Sequence, residues 1–137
     1  MMKIVLDTNV LLVSLVRHLN YYWIFENIIK GKYELIVSNE ILTEYLEVIA
    51  KRYGLTETNS KLDFLLLFPN VKLVNPYYKW HIIEQDEDDN KFVDCAIASN
   101  ADYIVTNNKH FNILKTITFP KVGILTAEEF KNVLLAE

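Results

Sequence analysis

The sequence predicts a three-layer α/β/α sandwich built on a five-stranded, mostly parallel sheet. Two observations carry this reading. Short β-rich runs alternate along the chain with longer segments of helical periodicity, the order that gives a parallel sheet covered on both faces. The first run, Lys3-Ile4-Val5-Leu6, has no polar break before Asp7, as expected of a strand buried on both sides.

The elements follow in order. After the strand Lys3 to Leu6, the segment Thr8 to His18 reads as a helix crowded with Val10, Leu11, Val13 and Leu15. A second helix spans Tyr21 to Lys30 and stops at Gly31, a residue that accepts the left-handed backbone of a helix end. Glu34 to Val37 is the next strand. Ser38 and Asn39 are good N-cap residues for a helix from Glu40 to about Arg52, where Ile41, Leu42, Tyr45, Val48 and Ile49 form one apolar stripe. Gly54 ends it, and a further helix covers Thr58 to Phe68 before Pro69-Asn70.

Val71 to Val74 is a strand, and Asn75 to Asp89 is a polar loop with room for one helical turn. Asn90 to Asn100 returns to helix, Tyr103 to Val105 to strand, and Asn108 to Leu114 to a short helix. The last strand lies within Pro120 to Leu125. Thr126-Ala127-Glu128-Glu129 is a capping box that opens the final helix.

With 137 residues, of which 51% are hydrophobic and 23% charged, the chain suits one ordinary domain over residues 1–137. Three Gly and three Pro leave no room for a flexible linker or low-complexity tract. A single cysteine, Cys95, excludes an internal disulfide, and no Cys/His cluster has zinc spacing, so a reducing cytosol is expected. Lys3 brings a charge too early for a signal-peptide apolar core, and the apolar run 64–68 is too short to span a bilayer. The expectation is a cytoplasmic protein.

The net charge of −4 argues at first against a nucleic-acid partner, but the charge is unevenly spread. Residues 84–89 hold five acids, and without them 13 acids face 14 Lys and Arg. An acidic knot in a neutral body suits a cation site, or else a solvated loop.

Parallel sheets place ligands beyond the carboxyl ends of their strands. Asp7 directly follows the first strand, Glu44 lies in the helix after the second, and Asn107-Asn108 follow the fourth. Asp94 precedes that fourth strand, amid Phe92, Val93, Cys95, Ala96, Ile97 and Ala98, where a charge is costly unless paired or metal-bound. Carboxylates gathered in one cleft repel unless protonated or neutralised, and Mg²⁺ takes such hard oxygen ligands. Each acid also has a plainer role: Asp7 and Asp89 stand where a helix N-cap is expected, and Glu44 shares a helix with Glu40 and Glu47. For Asp89 the capping role is preferred over metal binding. Asn9 either orients Asp7 or faces water.

Four motifs resemble PIN-domain proteins when taken together. They are Leu6-Asp7-Thr8-Asn9-Val10, the run from Ser38 to Tyr45, the run from Asp88 to Ala98, and the run from Ala101 to Phe111. The likeness extends from Met2 to about Leu134 and is nearest to the PIN toxins of prokaryotic toxin–antitoxin pairs. It implies a five-stranded parallel sheet, a Mg²⁺- or Mn²⁺-dependent endoribonuclease, frequent homodimers and inhibition by a cognate antitoxin. Matching motif positions implies that Asp7, Glu44 and Asp94 bind the metal. Where the family often carries a fourth acid this chain has Asn108, with Thr106 two residues before it as a positioning group. The expected substrate is single-stranded or looped RNA, with Lys51, Arg52, Lys91 and Lys109 as backbone contacts.

Two other readings compete. A catalytically weakened PIN module would bind RNA or a partner, with Asn108 as the mark of decay. A phospho-signalling receiver domain would need an aspartate closing the third strand, where this chain has Val74-Asn75-Pro76.

Overall fold

The structure is a computed structural model that describes residues 1–17 and 19–136. Five strands form one sheet: β1 (Lys3–Leu6), β2 (Glu34–Val37), β3 (Val71–Leu73), β4 (Tyr103–Val105) and β5 (Gly123–Leu125). Their order is β3-β2-β1-β4-β5, and all four neighbouring pairs are parallel. The helices are α1 (Thr8–Ser14), α2 (Tyr22–Ile29), α3 (Asn39–Tyr53), α4 (Leu55–Leu66), α5 (Asn90–Ser99) and α6 (Ala127–Leu135), with 3₁₀ turns at Glu87–Asp89 and Lys109–Thr116. The α/β class and five-stranded sheet expected from the sequence are therefore present.

The central strand β1 explains the layering. Successive side chains on a strand point to opposite faces, yet Ile4, Val5 and Leu6 are all completely buried. Helices must cover both sides. The outer strand β3 exposes Lys72 and Leu73, which suits an edge. At the other edge Gly123 of β5 has no room for a side chain: a Cβ there would lie 2.6 Å from the Asp102 carbonyl oxygen.

Several ends differ from expectation. Helix α1 stops at Ser14, whose hydroxyl donates to the Leu11 carbonyl at 2.6 Å and competes with the helical ladder. His18, the expected end of that helix, lies outside the described residues. Helix α4 starts at Leu55 rather than Thr58, because Gly54 (φ +88°) turns the chain sharply enough to end α3 and start α4 at one residue. The segment after Asn108 winds as a 3₁₀ helix to Thr116, and the last strand shortens to three residues. Gly31 (φ +69°) and the capping box at Thr126 and Glu129 are as expected.

The switch in strand order falls between β1 and β4. Neighbouring strands there are continued by connections on opposite sides of the sheet, and a crevice opens beyond their carboxyl ends. Asp7 and Thr106 stand at that crevice.

Candidate active site

Asp7 leaves β1 still bonded to its neighbour, its N–H donating to the Val105 carbonyl at 3.0 Å. Although it occupies the N-cap position of α1, its carboxylate makes no capping bond. Instead Oδ2 accepts from the Thr106 hydroxyl at 2.7 Å. Thr106, itself buried, also accepts the Asn108 N–H at 3.0 Å. The ends of β1 and β4 are thus tied through side chains.

Glu44 is brought in by α3. Its neighbour Tyr45 is fully buried and donates its hydroxyl to the Leu6 carbonyl at 2.6 Å, fixing the helix against the end of β1. Glu44 Oε1 lies 2.6 Å from Lys91 Nζ, and Oε2 accepts from the Thr8 hydroxyl.

Asp89 is the residue whose role differs most from its expected one. It holds the N-cap position of α5 but makes no capping bond. Its Oδ2 accepts from Asn108 Nδ2 at 3.4 Å and lies 3.2 Å from His110 Nδ1. Asp86, Asp89 and His110 each offer a ligand atom, all within 4.8 Å of one another. A bidentate grip by Asn90 on the N–H and C=O of Ile83, both at 2.9 Å, anchors the acidic loop to the start of α5.

Electrostatics separate the acids into two groups. Burial pushes the Asp7 carboxyl up to about 6; the Thr106 hydroxyl opposes this, while the Asp89 and Glu44 carboxylates add to it. Asp89 is raised by burial and by Asp86 and Glu44, against the contact with His110. Asp94 answers to other neighbours. Burial raises it, the Trp80 N–H that donates to Oδ1 at 3.0 Å lowers it, and the nearby charges are His81, Glu40 and Glu87. Asp94 pins the loop after β3 to the side of α5 through the Trp80 N–H.

The structure ties Asp7, Thr106 and Asn108 together, sets Glu44 and Asp89 near Asp7, and puts Asp94 in a small cleft with Glu40, Asp88 and Lys91, residues that also line the cleft beside Glu44. Asn9 is exposed and lines a cleft of about 390 Å³ with Asp7, Tyr21, Asn107 and Asn108. A second cleft, about 570 Å³, opens beside Glu44 and is lined by Lys51, Asp88 and Lys91. Asn108 Oδ1 accepts the His110 N–H at 2.9 Å, so its amide oxygen is engaged locally and its amino group faces Asp89. Glu44 and Asp89 act electrostatically on Asp7, while among the described residues the side chains whose ligand atoms share a 4.8 Å neighbourhood are Asp86, Asp89 and His110; carboxylate oxygens of this kind are the hard donors that suit Mg²⁺ or Mn²⁺. No described helix is long and apolar enough to cross a membrane.

A search of curated proteins gives no match. Among solved structures, the crystal structure of VapBC2 from Rickettsia felis bound to a DNA fragment from their promoter has a similar chain. The likeness covers 91% of this chain and 98% of that one, with a TM-score of 0.63 and 24% identity. At that identity the likeness shows the fold. The family profile described as PIN domain matches residues 3–110, most of the chain and every acid of the candidate site. The chain belongs to the PIN-domain family.

Proposed function

We infer that this protein is a divalent-metal endoribonuclease that hydrolyses RNA phosphodiester bonds, the toxin of a toxin–antitoxin pair. The observation that carries this reading is the approach of Glu44 and Asp89 to Asp7 beyond the ends of β1 and β4, close enough that both carboxylates add to the rise in its proton affinity. Asp7, Glu44 and Asp89 would hold the ion, with Asp86 and His110 alongside Asp89. Asp89 takes the place that the family resemblance gave to Asp94.

Mg²⁺ or Mn²⁺ bound there supplies Lewis acidity, polarising a phosphoryl oxygen and easing deprotonation of water. The chain's own residues do the rest. Thr106 fixes the Asp7 carboxylate, Asn108 and His110 fix Asp89, and Tyr45 holds α3 against the end of β1. Lys51 and Lys91, on the adjoining cleft, are placed to meet the phosphates of a single strand. PIN membership and the fold shared with a VapBC2 chain support a cognate antitoxin as partner; a homodimer and a cytoplasmic setting belong to the same reading.

The test is cleavage of a labelled single-stranded oligoribonucleotide by the purified protein. Cleavage with Mn²⁺ or Mg²⁺, lost in EDTA and in Asp7→Asn, is expected. Equal cleavage in EDTA would contradict the reading. Absence of cleavage with intact RNA binding would favour the non-catalytic module, for which Asn108, neutral and already bonded to His110, is the specific observation.

A further inference from the structure

Both oxygens of Glu44 are occupied. Lys91 Nζ sits 2.6 Å from Oε1, and the Thr8 hydroxyl donates to Oε2. The ion pair is largely shielded, with side-chain exposures of 15% and 20%, and its partners are 47 residues apart. Exposed pairs contribute little, whereas a shielded charge depends on its partner. Among the described ion pairs this is the one that brings a lysine to the crevice acids. Lys91 also follows Asp89 by two residues, so its backbone is set by the same start of α5.

We propose that Lys91 is a tethered counter-cation: it neutralises Glu44 in the metal-free protein, is displaced when a divalent ion enters, and then binds a substrate phosphate. The proposal rests on the metal-site reading above. Each Glu44 oxygen keeps a lone pair beyond its present partner, so what decides whether that partner stays when an ion enters is its charge. The neutral Thr8 hydroxyl can go on donating to a carboxylate that is shared with the ion. The ammonium cannot remain as close, because it and a divalent ion repel at contact distance.

The place to which Lys91 moves is already present. Its side chain lines the cleft of about 570 Å³ beside Glu44, which also holds Lys51, Asn39 and Thr43. A lysine on a flexible four-carbon stem presents a point charge to phosphate there. One side chain then couples two events: ion entry frees the phosphate-binding ammonium, and a phosphate that holds the ammonium frees Glu44 for the ion. Such linkage is reciprocal by thermodynamic necessity.

Mn²⁺ binding to the full chain at pH 8, followed by the electron paramagnetic resonance of free Mn²⁺, tests this without any turnover. Lys91→Met is expected to tighten Mn²⁺ binding about tenfold or more, and Lys91→Arg, which keeps the charge, to stay within about threefold of wild type. Lys91→Gln gives a second neutral variant should Lys91→Met fail to fold. In a second arm, binding of a 2′-O-methyl oligoribonucleotide is measured with and without Mn²⁺. Mn²⁺ should strengthen it in wild type, and in the neutral variants most of that gain should vanish. Neutral variants that bind Mn²⁺ no more tightly than wild type would overturn the role of Lys91 while leaving the metal site standing. A wild-type protein that binds no Mn²⁺ would overturn both.

Discussion

The Thr106 hydroxyl donates to the Asp7 carboxylate at 2.7 Å across 99 residues of sequence, and the same oxygen accepts the Asn108 N–H at 3.0 Å. One hydroxyl thus organises both the acid that ends β1 and the loop that leaves β4. Thr106→Val keeps the shape and removes both bonds. The expected cost is about 1–3 kcal/mol at pH 7.5, read from urea unfolding. The cost should shrink at pH 4.5, where Asp7 is protonated and its bond to Thr106 is no longer charge-assisted.

Asp7 makes the metal-free protein pH-sensitive. Its carboxyl rises from an ordinary 3.8 to about 6 on folding, so between those values the native state holds a proton that the unfolded chain has lost. Stability from this group is therefore full below about pH 4 and falls as pH rises through 6, by up to about 3 kcal/mol. Urea titrations in EDTA from pH 4 to 8 should show this decline, and Asp7→Asn should flatten it. A wild-type profile as flat as the variant's would contradict the assignment.

Asp89 and Asp94 should part company on substitution. Asp89→Asn removes a charge facing Asp7, Glu44 and His110, and should abolish Mn²⁺ binding and metal-dependent cleavage with the fold intact. Asp94→Asn keeps an oxygen to accept the Trp80 N–H and should leave both activities near wild type. Isothermal titration with Mn²⁺, paired with RNA cleavage, distinguishes them; the opposite pattern would restore Asp94 to the site.

Asn108→Asp would place a fourth carboxylate 3.4 Å from Asp89 Oδ2, where an amide donor now stands. Without metal, thermal unfolding at pH 7.5 should reveal a loss of about 1–2 kcal/mol from the added repulsion and the lost hydrogen bond. With Mn²⁺ the order should reverse, since a fourth acid strengthens a cation site and bound ion stabilises the folded state. A variant destabilised equally with and without Mn²⁺ would show that position 108 does not act on the ion.

The sheet is legible because its strands are short, apolar and separated by helices with clear caps; Asp7 follows from a strand end, whereas Glu44, inside the helix after β2, rests on the motif resemblance. Helix ends were less legible where local bonds intervene: the Ser14 hydroxyl turns back on α1, and Gly54 serves two helices at once. Burying the Asp94 charge among apolar residues is costly, and the Trp80 N–H offsets part of that cost. The proposed centre uses Asp89 instead. Helix α5 begins at the crevice and runs back along the sheet, so five residues further on, at about 1.5 Å each, Asp94 lies roughly 7.5 Å below it. The start of the helix was a readable signal for Asp89, but a capping role explained the same position until the carboxylate was seen turned toward Asn108 and His110.

Anomalous diffraction from crystals soaked in Mn²⁺ tests the three-acid centre most directly. A peak bonded to carboxylate oxygens of both Asp7 and Asp89, with Glu44 in its coordination shell directly or through water, is the expected result. A strong peak at Asp94, with none between Asp7 and Asp89, would show that the ion belongs elsewhere and that the crevice acids serve the fold alone.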